Sequence, residues 1–198
     1  SSKVSKDTKI LFISDVHSDY IFSTFHLKKV IKAIKEEQPD IVLIWWDLIN
    51  RPHPDYVNAY KIFNDKSIST PIYAVVWNHD LMGQTEIIQK VKDISPIKIL
   101  NNESVLIGDI QVIGIIDKSI RRWKTLDEIL EESNIYATDK FTILMTHQPI
   151  ALEKLNKYAI DLEVAGHPHR WQIYGIRKVA ELMNDYLYGR YDSDNKVR

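Results

Sequence analysis

Short runs of β-branched and aliphatic residues alternate along the chain with longer stretches in which apolar side chains recur at three- and four-residue steps. This is the pattern of β-α-β units around buried strands. The first run spans 9–14 and is apolar at Ile10, Leu11, Phe12 and Ile13 before Asp15 ends it, as expected of a central strand buried on both faces. Leu27, Val30, Ile31 and Ile34 then predict a helix over 26–37, closed by Pro39. A second strand at 41–44 runs out at Asp47, a helix is predicted over 54–64, and a third strand at 72–76 ends before Asn78-His79-Asp80. A helix over 85–92 follows. Runs at 97–100, 103–107 and 110–115, the last two joined by a turn at Gly108-Asp109, read as strands of a second sheet. A helix over 126–132, a strand at 141–145 ending at His147, and a strand at 162–165 ending at Gly166-His167-Pro168-His169 complete the pattern. No internal repeat, linker or low-complexity segment interrupts it.

Five of these apolar runs therefore end in residues able to bind a metal: Asp15 with His17, Asp47, Asn78 with His79, His147, and His167 with His169. In α/β sheets the carboxyl ends of parallel strands gather at one edge, so side chains remote in sequence meet there in space. Five of the seven histidines fall at such ends. His26 reads as a helix residue. His53 lies in the loop Arg51-Pro52-His53-Pro54 just after Asp47, and Arg51 and Arg170 each follow a candidate ligand closely enough to meet a phosphate, although a solvated arginine is the simpler account of either.

Composition narrows the chemistry. With 198 residues and 44% apolar side chains, the chain is the size of one domain with a sizeable core. The absence of cysteine excludes disulfides, thiolate metal sites and cysteine nucleophiles, which leaves histidine and carboxylate as ligands. A net charge of -1 supplies no whole-molecule field to gather nucleic acid or anionic membrane, so no obligate nucleic-acid partner is expected. No apolar run approaches the roughly 18 residues of a spanning helix, and the opening Ser1-Ser2-Lys3-Val4-Ser5-Lys6 is no signal peptide. The closing stretch Asp194-Asn195-Lys196-Val197-Arg198 is polar and reads as having no closing element. The expectation is a single domain over 1–198, compatible with a fragment lacking an N-terminal anchor and its C-terminal end. Localisation stays open between cytoplasmic and membrane-associated, and the oligomeric state is not readable.

Asp15-Val16-His17, Trp46-Asp47, Trp77-Asn78-His79-Asp80, Thr146-His147 and Gly166-His167-Pro168-His169 resemble, in order and spacing, the motifs of calcineurin-like metallophosphoesterases. The segments 100–105 and 147–149, and Tyr188-Gly189-Arg190-Tyr191, are similar to the membrane-anchored phosphodiesterase branch. The resemblance implies a four-layer α/β/β/α sandwich, two mixed β-sheets packed face to face with helices outside; periodicity alone supports only a mixed α/β domain. It implies one metal on Asp15, His17, Asp47 and His169, a second on Asp47, Asn78, His147 and His167, and Asp47 as the bridge. It further implies hydrolysis of a phosphoester, with a phosphodiester favoured, by hydroxide activated between two divalent ions. Mn²⁺ is the first expectation, with Fe or Zn²⁺ also suited to oxygen and imidazole ligands. His79 would donate a proton to the leaving oxygen and Asp80 would orient its ring. The implied substrate is a small-molecule or lipid-linked phosphoester, and the implied membrane association runs through a missing N-terminal segment.

The sequence departs from the family pattern at its glycines. Trp46 and Trp77 stand where the family has glycine before the bridging aspartate and before Asn-His-Asp, and Trp45 and Trp171 stand where relatives often have it. Glycine serves where backbone takes positive φ or approaches a ligand closely, and tryptophan is the bulkiest replacement. Two readings follow. Either UGA codons that mean glycine in some bacterial lineages have been rendered as tryptophan, or the site is altered and the protein is a non-catalytic scaffold of the same fold. The first is expected: the gene should carry UGA at codons 45, 46, 77 and 171, and at 123, and one ordinary UGG among the first four would sink it.

Overall fold

The structure is a computed structural model, and it describes residues 3–14, 23–45, 60–75, 85–115, 128–130, 139–146, 155, 157–158, 160–165, 192–193 and 196–197. The first half builds a parallel sheet. Strands β1 (Ile10–Ile13), β2 (Ile41–Trp45), β3 (Ile72–Val75) and β4 (Lys98–Leu100) lie in sequence order, each parallel to its neighbour, so the run at 97–100, expected in the second sheet, instead closes the first by pairing with β3 after a helical crossover. Helix α1 (Ser23–Glu37) precedes β2, a 3-10 helix (Tyr60–Asn64) precedes β3, and α2 (Thr85–Ile94) precedes β4.

Each element follows from its residues. Helix α1 turns Leu27, Val30, Ile31 and Ile34 onto the sheet, against Val42, Ile44, Ile72, Ala74 and Ile99. It stops because Gln38 takes a left-handed conformation (φ 44°) and Pro39 cannot continue the helix. The sequence reading extended a helix over 54–64; of its described part, 60–64 forms the 3-10 turn, whose three-residue repeat brings Tyr60 and Phe63 onto one buried face. Its earlier residues lie outside the described ones.

The chain leaves the first sheet at Asn101-Asn102, where Asn102 adopts a left-handed φ of 54° that asparagine tolerates, and enters the second. That sheet has the order β5-β6-β7-β8-β10-β9, from β5 (Glu103–Ile107), β6 (Ile110–Gly114), β7 (Phe141–Thr146), β8 (Leu162–Ala165), β9 (Asp192–Ser193) and β10 (Lys196–Val197). Strands β5 and β6 form an antiparallel hairpin, while β6, β7 and β8 are parallel. Its turn has positive φ at Gly108 and not at Asp109, the signature of a type II′ turn with glycine at the first central position. The closing stretch, read from sequence as lacking an element, instead supplies β10, which pairs with β8 and with β9. A two-residue strand is too short for periodicity to reveal; pairing to an existing edge makes it.

The two sheets pack face to face. Ile41, Leu43, Trp45, Tyr73, Val75 and Leu100 of the first meet Ile110, Val112, Ile143 and Met145 of the second, with Ile10, Phe12, Leu162 and Val164 at the margin. The alternate residues Ile113 and Leu144 face outward beneath Ile129, Leu130, Leu155 and Tyr158. The expected four-layer sandwich is thus the observed one. At Gly114 the second sheet comes close against Val75 and Leu100 of the first. A Cβ there would lie 2.9 Å from Val75 Cγ2 and 3.2 Å from the Leu100 carbonyl, and closer still to Leu100 Cβ.

At the opposite end, residues 3–9 strap the amino ends of both sheets together. Lys3 pairs with Asp161 at 2.9 Å, Ser5 donates through its backbone N (3.0 Å) and its hydroxyl to Asp109, and the Lys9 amide donates to Asp40 at 2.8 Å. Ser5 and, less strongly, Lys140 hold the Asp109 carboxyl below its ordinary range; the Lys9 ammonium does the same for Glu37, and Lys35 with Ser67 for Asp65.

Gly114→Ala should lower stability by about 1–3 kcal/mol, because the backbone and Cβ atoms it meets cannot swing away; the urea midpoint measures this. Depressed carboxylate pKa values stabilise the fold above the unfolded values of about 4 and stop doing so as pH falls through the folded ones. The urea midpoint should therefore hold from pH 7 to 5 and fall between pH 4 and 2, and Asp109→Asn should reduce that fall.

Candidate active site

Parallel strands deliver their carboxyl ends to one edge, and the registers show which ends are neighbours. Ile13 of β1 lies beside Ile44 of β2, and Trp45 of β2 beside Val75 of β3. In the second sheet Gly114 of β6 lies beside Met145 of β7, and Thr146 beside Ala165 of β8. The Gly114 contact with Val75 and Leu100 joins the carboxyl ends of β3, β4 and β6 across the sandwich. The Ser5 bonds to Asp109 and a cleft of about 250 Å³ lined by Asp40, Ile41, Gly108 and Ile110 gather the amino ends at the other. Both sets of parallel strands thus point the same way.

The candidate ligands follow these ends closely in sequence. Asp15 is two residues past Ile13, Asp47 two past Trp45, Asn78 three past Val75, His147 one past Thr146 and His167 two past Ala165. At no more than about 3.8 Å per residue, none of these five is farther than roughly 11 Å along the chain from a described strand end. Asp15, His17, Asp47, Asn78, His79, Asp80, His147, His167 and His169 themselves lie outside the described residues, as do His53, Arg51 and Arg170. Among the described residues no group of three histidines, aspartates and glutamates gathers, and the cleft at the amino ends contains none of the candidates.

A family model described as calcineurin-like phosphoesterase matches residues 8–171, a span that contains all five strand-end segments. The chain belongs to the calcineurin-like phosphoesterase family. The family is one of phosphoric ester hydrolases. An uncharacterised metallophosphoesterase of Helicobacter pylori is 27% identical over 194 residues, covering 96% of this chain and 52% of that protein. One of Bacillus subtilis is 26% identical over 174 residues, covering 83% and 59%. A zebrafish (Danio rerio) transmembrane protein with a metallophosphoesterase domain is 23% identical over 200 residues, covering 92% and 45%. The chain thus spans about half the length of the curated relatives it matches. Among solved structures, the NAD nucleotidase of Haemophilus influenzae superposes with a TM-score of 0.53 at 18% identity, over 95% of this chain and 48% of that one, and so shares the fold. No helix among the described residues is long and apolar enough to cross a membrane.

One of the tryptophans at family glycine positions is described. Trp45 ends β2, 1% exposed and outside the positive-φ region, with its side chain among the residues between the sheets. Packing thus supplies at position 45 a reason for a large apolar residue that periodicity did not disclose. Trp46, Trp77, Trp123 and Trp171 lie outside the described residues. Composition bears on the same question: the chain has six glycines, where average usage of about 7% would give about 14.

Two polar residues near this edge form a pair that the sequence did not disclose, although Thr146 stands in the Thr146-His147 motif. Thr146 and Glu163 are buried on the outward face of the second sheet, and the Thr146 hydroxyl donates to Glu163 Oε1 at 2.8 Å. The available signal was one charge inside the otherwise apolar run Leu162-Glu163-Val164-Ala165.

Trp45→Gly tests the packing. Emptying a fully buried indole site should cost about 3–5 kcal/mol in chemical denaturation. No loss, or a gain, would mean that the position was built for glycine.

Proposed function

We propose that the domain hydrolyses a phosphoester, with a phosphodiester favoured, at the edge where the carboxyl ends of β1, β2, β3, β7 and β8 gather. The observation that carries this reading is the common direction of the parallel strands in two facing sheets, which brings five donor-bearing segments within short chain reach of one edge. The donor set fits two divalent ions, Mn²⁺ first and Fe or Zn²⁺ next, because it combines carboxylate, amide and imidazole without any thiolate. In this reading Asp15, His17, Asp47 and His169 hold one ion and Asp47, Asn78, His147 and His167 the other. Ions so held supply Lewis-acid polarisation of the phosphoryl group and a nucleophile from water at neutral pH.

The chain's own residues do the rest. His79 donates a proton to the departing oxygen, and Asp80 accepts from the other ring nitrogen and keeps the ring turned toward that oxygen. Arg51 and Arg170 each follow a proposed ligand closely in sequence, which makes them candidates for a phosphate contact, although a solvated arginine is the simpler account of either. A lipid-linked or other small-molecule phosphodiester is the favoured substrate, and relatives named as transmembrane proteins support an association with membranes through segments beyond this domain.

A second reading keeps the fold and the metals without turnover, with Trp46 and Trp77 obstructing the approach of substrate; the bulk of tryptophan at two family glycine positions favours it. Hydrolysis of bis-p-nitrophenyl phosphate with added Mn²⁺ separates the two. We expect turnover that a chelator abolishes and that Asp47→Ala reduces at least about 100-fold, with a further rise on Trp46→Gly plus Trp77→Gly. Mn²⁺ binding without turnover, in both the parent chain and the glycine variants, would establish the scaffold.

A further inference from the structure

The described polar residues buried in this protein, Gln111, Thr142, Thr146 and Glu163, all lie on one surface, the outward face of the second sheet. Three of them belong there at modest cost, being neutral. Glu163 does not. It is 1% exposed on a strand whose flanking Leu162 and Val164 pack between the sheets, and across the ladder it stands beside Leu144 of the outer apolar cluster. Placing a carboxyl group in such surroundings is unfavourable unless its oxygens are hydrogen-bonded, and a well-packed apolar residue there is often neutral or stabilising. A glutamate here therefore needs a reason other than apolar packing.

Its geometry supplies one. Glu163 faces Leu144, while Thr146 faces Ala165, so Glu163 and Thr146 are diagonal neighbours on adjacent strands, a separation that a long side chain bridges. The 2.8 Å bond from the Thr146 hydroxyl to Glu163 Oε1 does this at the last residue of β7. The next residue is His147, and His167 comes two residues after the end of β8. The bond adds a side-chain cross-link to the backbone ladder between β7 and β8, at the last described residue of β7 before His147.

We propose that Glu163 and Thr146 form a positioning pair that locks the ends of β7 and β8 together and so sets the spacing of His147 and His167 for a shared divalent ion. The proposal rests on the metal-binding reading given above. Neither residue touches the ion in it. Each acts through the histidine that its strand delivers, as outer partners of ligands generally do, at a typical value of ten- to a hundredfold in metal affinity.

Calorimetric titration of the metal-free protein with Mn²⁺, alongside thermal unfolding of the same metal-free samples, tests this. Glu163→Leu should unfold at the same or a higher temperature than the parent yet bind Mn²⁺ about tenfold more weakly in one of its two sites. Thr146→Val should weaken the same site, and the double variant should be no worse than Glu163→Leu alone, because both changes remove the Thr146–Glu163 bond. Glu163→Gln, which keeps an acceptor oxygen, should recover most of the affinity. A merely structural role predicts the reverse coupling, with affinity falling only where the unfolding temperature falls. Parent-like Mn²⁺ affinity in Glu163→Leu, or additive losses in the double variant, would overturn the positioning role. Failure of the parent itself to bind Mn²⁺ would overturn the metal-binding reading beneath it.

Discussion

The contact between the two sheets governs the rest of the structure, and at Gly114, against Val75 and Leu100, it leaves no room for a side chain. That contact brings the carboxyl ends of strands from separate sheets to one edge, while the strap of residues 3–9 ties the amino ends at the other. With both ends held, the strands of the two sheets share a direction. A site assembled from the ends of β1, β2 and β3 on one side and β7 and β8 on the other depends on that shared direction more than on any single hydrogen bond. Burial supplies the driving force: each fully covered isoleucine, leucine or methionine between the sheets contributes about 1.5–3 kcal/mol relative to an exposed one.

The same arrangement explains where polarity is tolerated. The inner faces carry Ile41, Leu43, Trp45, Val112, Ile143 and Met145 with no buried charge among the described residues. The outward face of the second sheet takes Gln111, Thr142, Thr146 and Glu163, and Glu163 accepts from Thr146 and Gln111 donates to Ser104 at 3.2 Å. A buried hydroxyl bonded to a buried carboxyl holds local geometry with little net gain in stability.

The tryptophans mark where the family pattern and the packing of this chain pull in different directions. At position 45 an extended strand and a filled space between the sheets accommodate the indole. At Gly114 the reverse holds, since an added carbon would meet Leu100 Cβ and the Leu100 carbonyl, which cannot give way, and Val75 Cγ2 beside them. Whether a position needs glycine is thus decided by the distance to the facing sheet, a quantity absent from the order of residues.

Much of this protein was legible from its residues. Continuous apolar runs marked β1, β2, β3, β7 and β8 to within one or two residues of their ends, and the three- and four-residue recurrence at Leu27, Val30, Ile31 and Ile34 marked α1. Gly108 marked the hairpin, because a type II′ turn needs positive φ at that place. These are local signals, set by backbone sterics and by which side of an element must face away from water. The donors at the strand ends were likewise visible as residue types in an order that matches the family. What only the tertiary structure decided was non-local. The pairing of the last residues as β10, the 3-10 turn at Tyr60–Asn64, the burial of Trp45 and the Thr146–Glu163 bond depend on partners tens to more than a hundred residues away in the chain or on the facing layer. Periodicity reports which face of an element is apolar; it carries no information on which other element will cover that face, and that choice sets the edge where the carboxyl ends of the parallel strands gather.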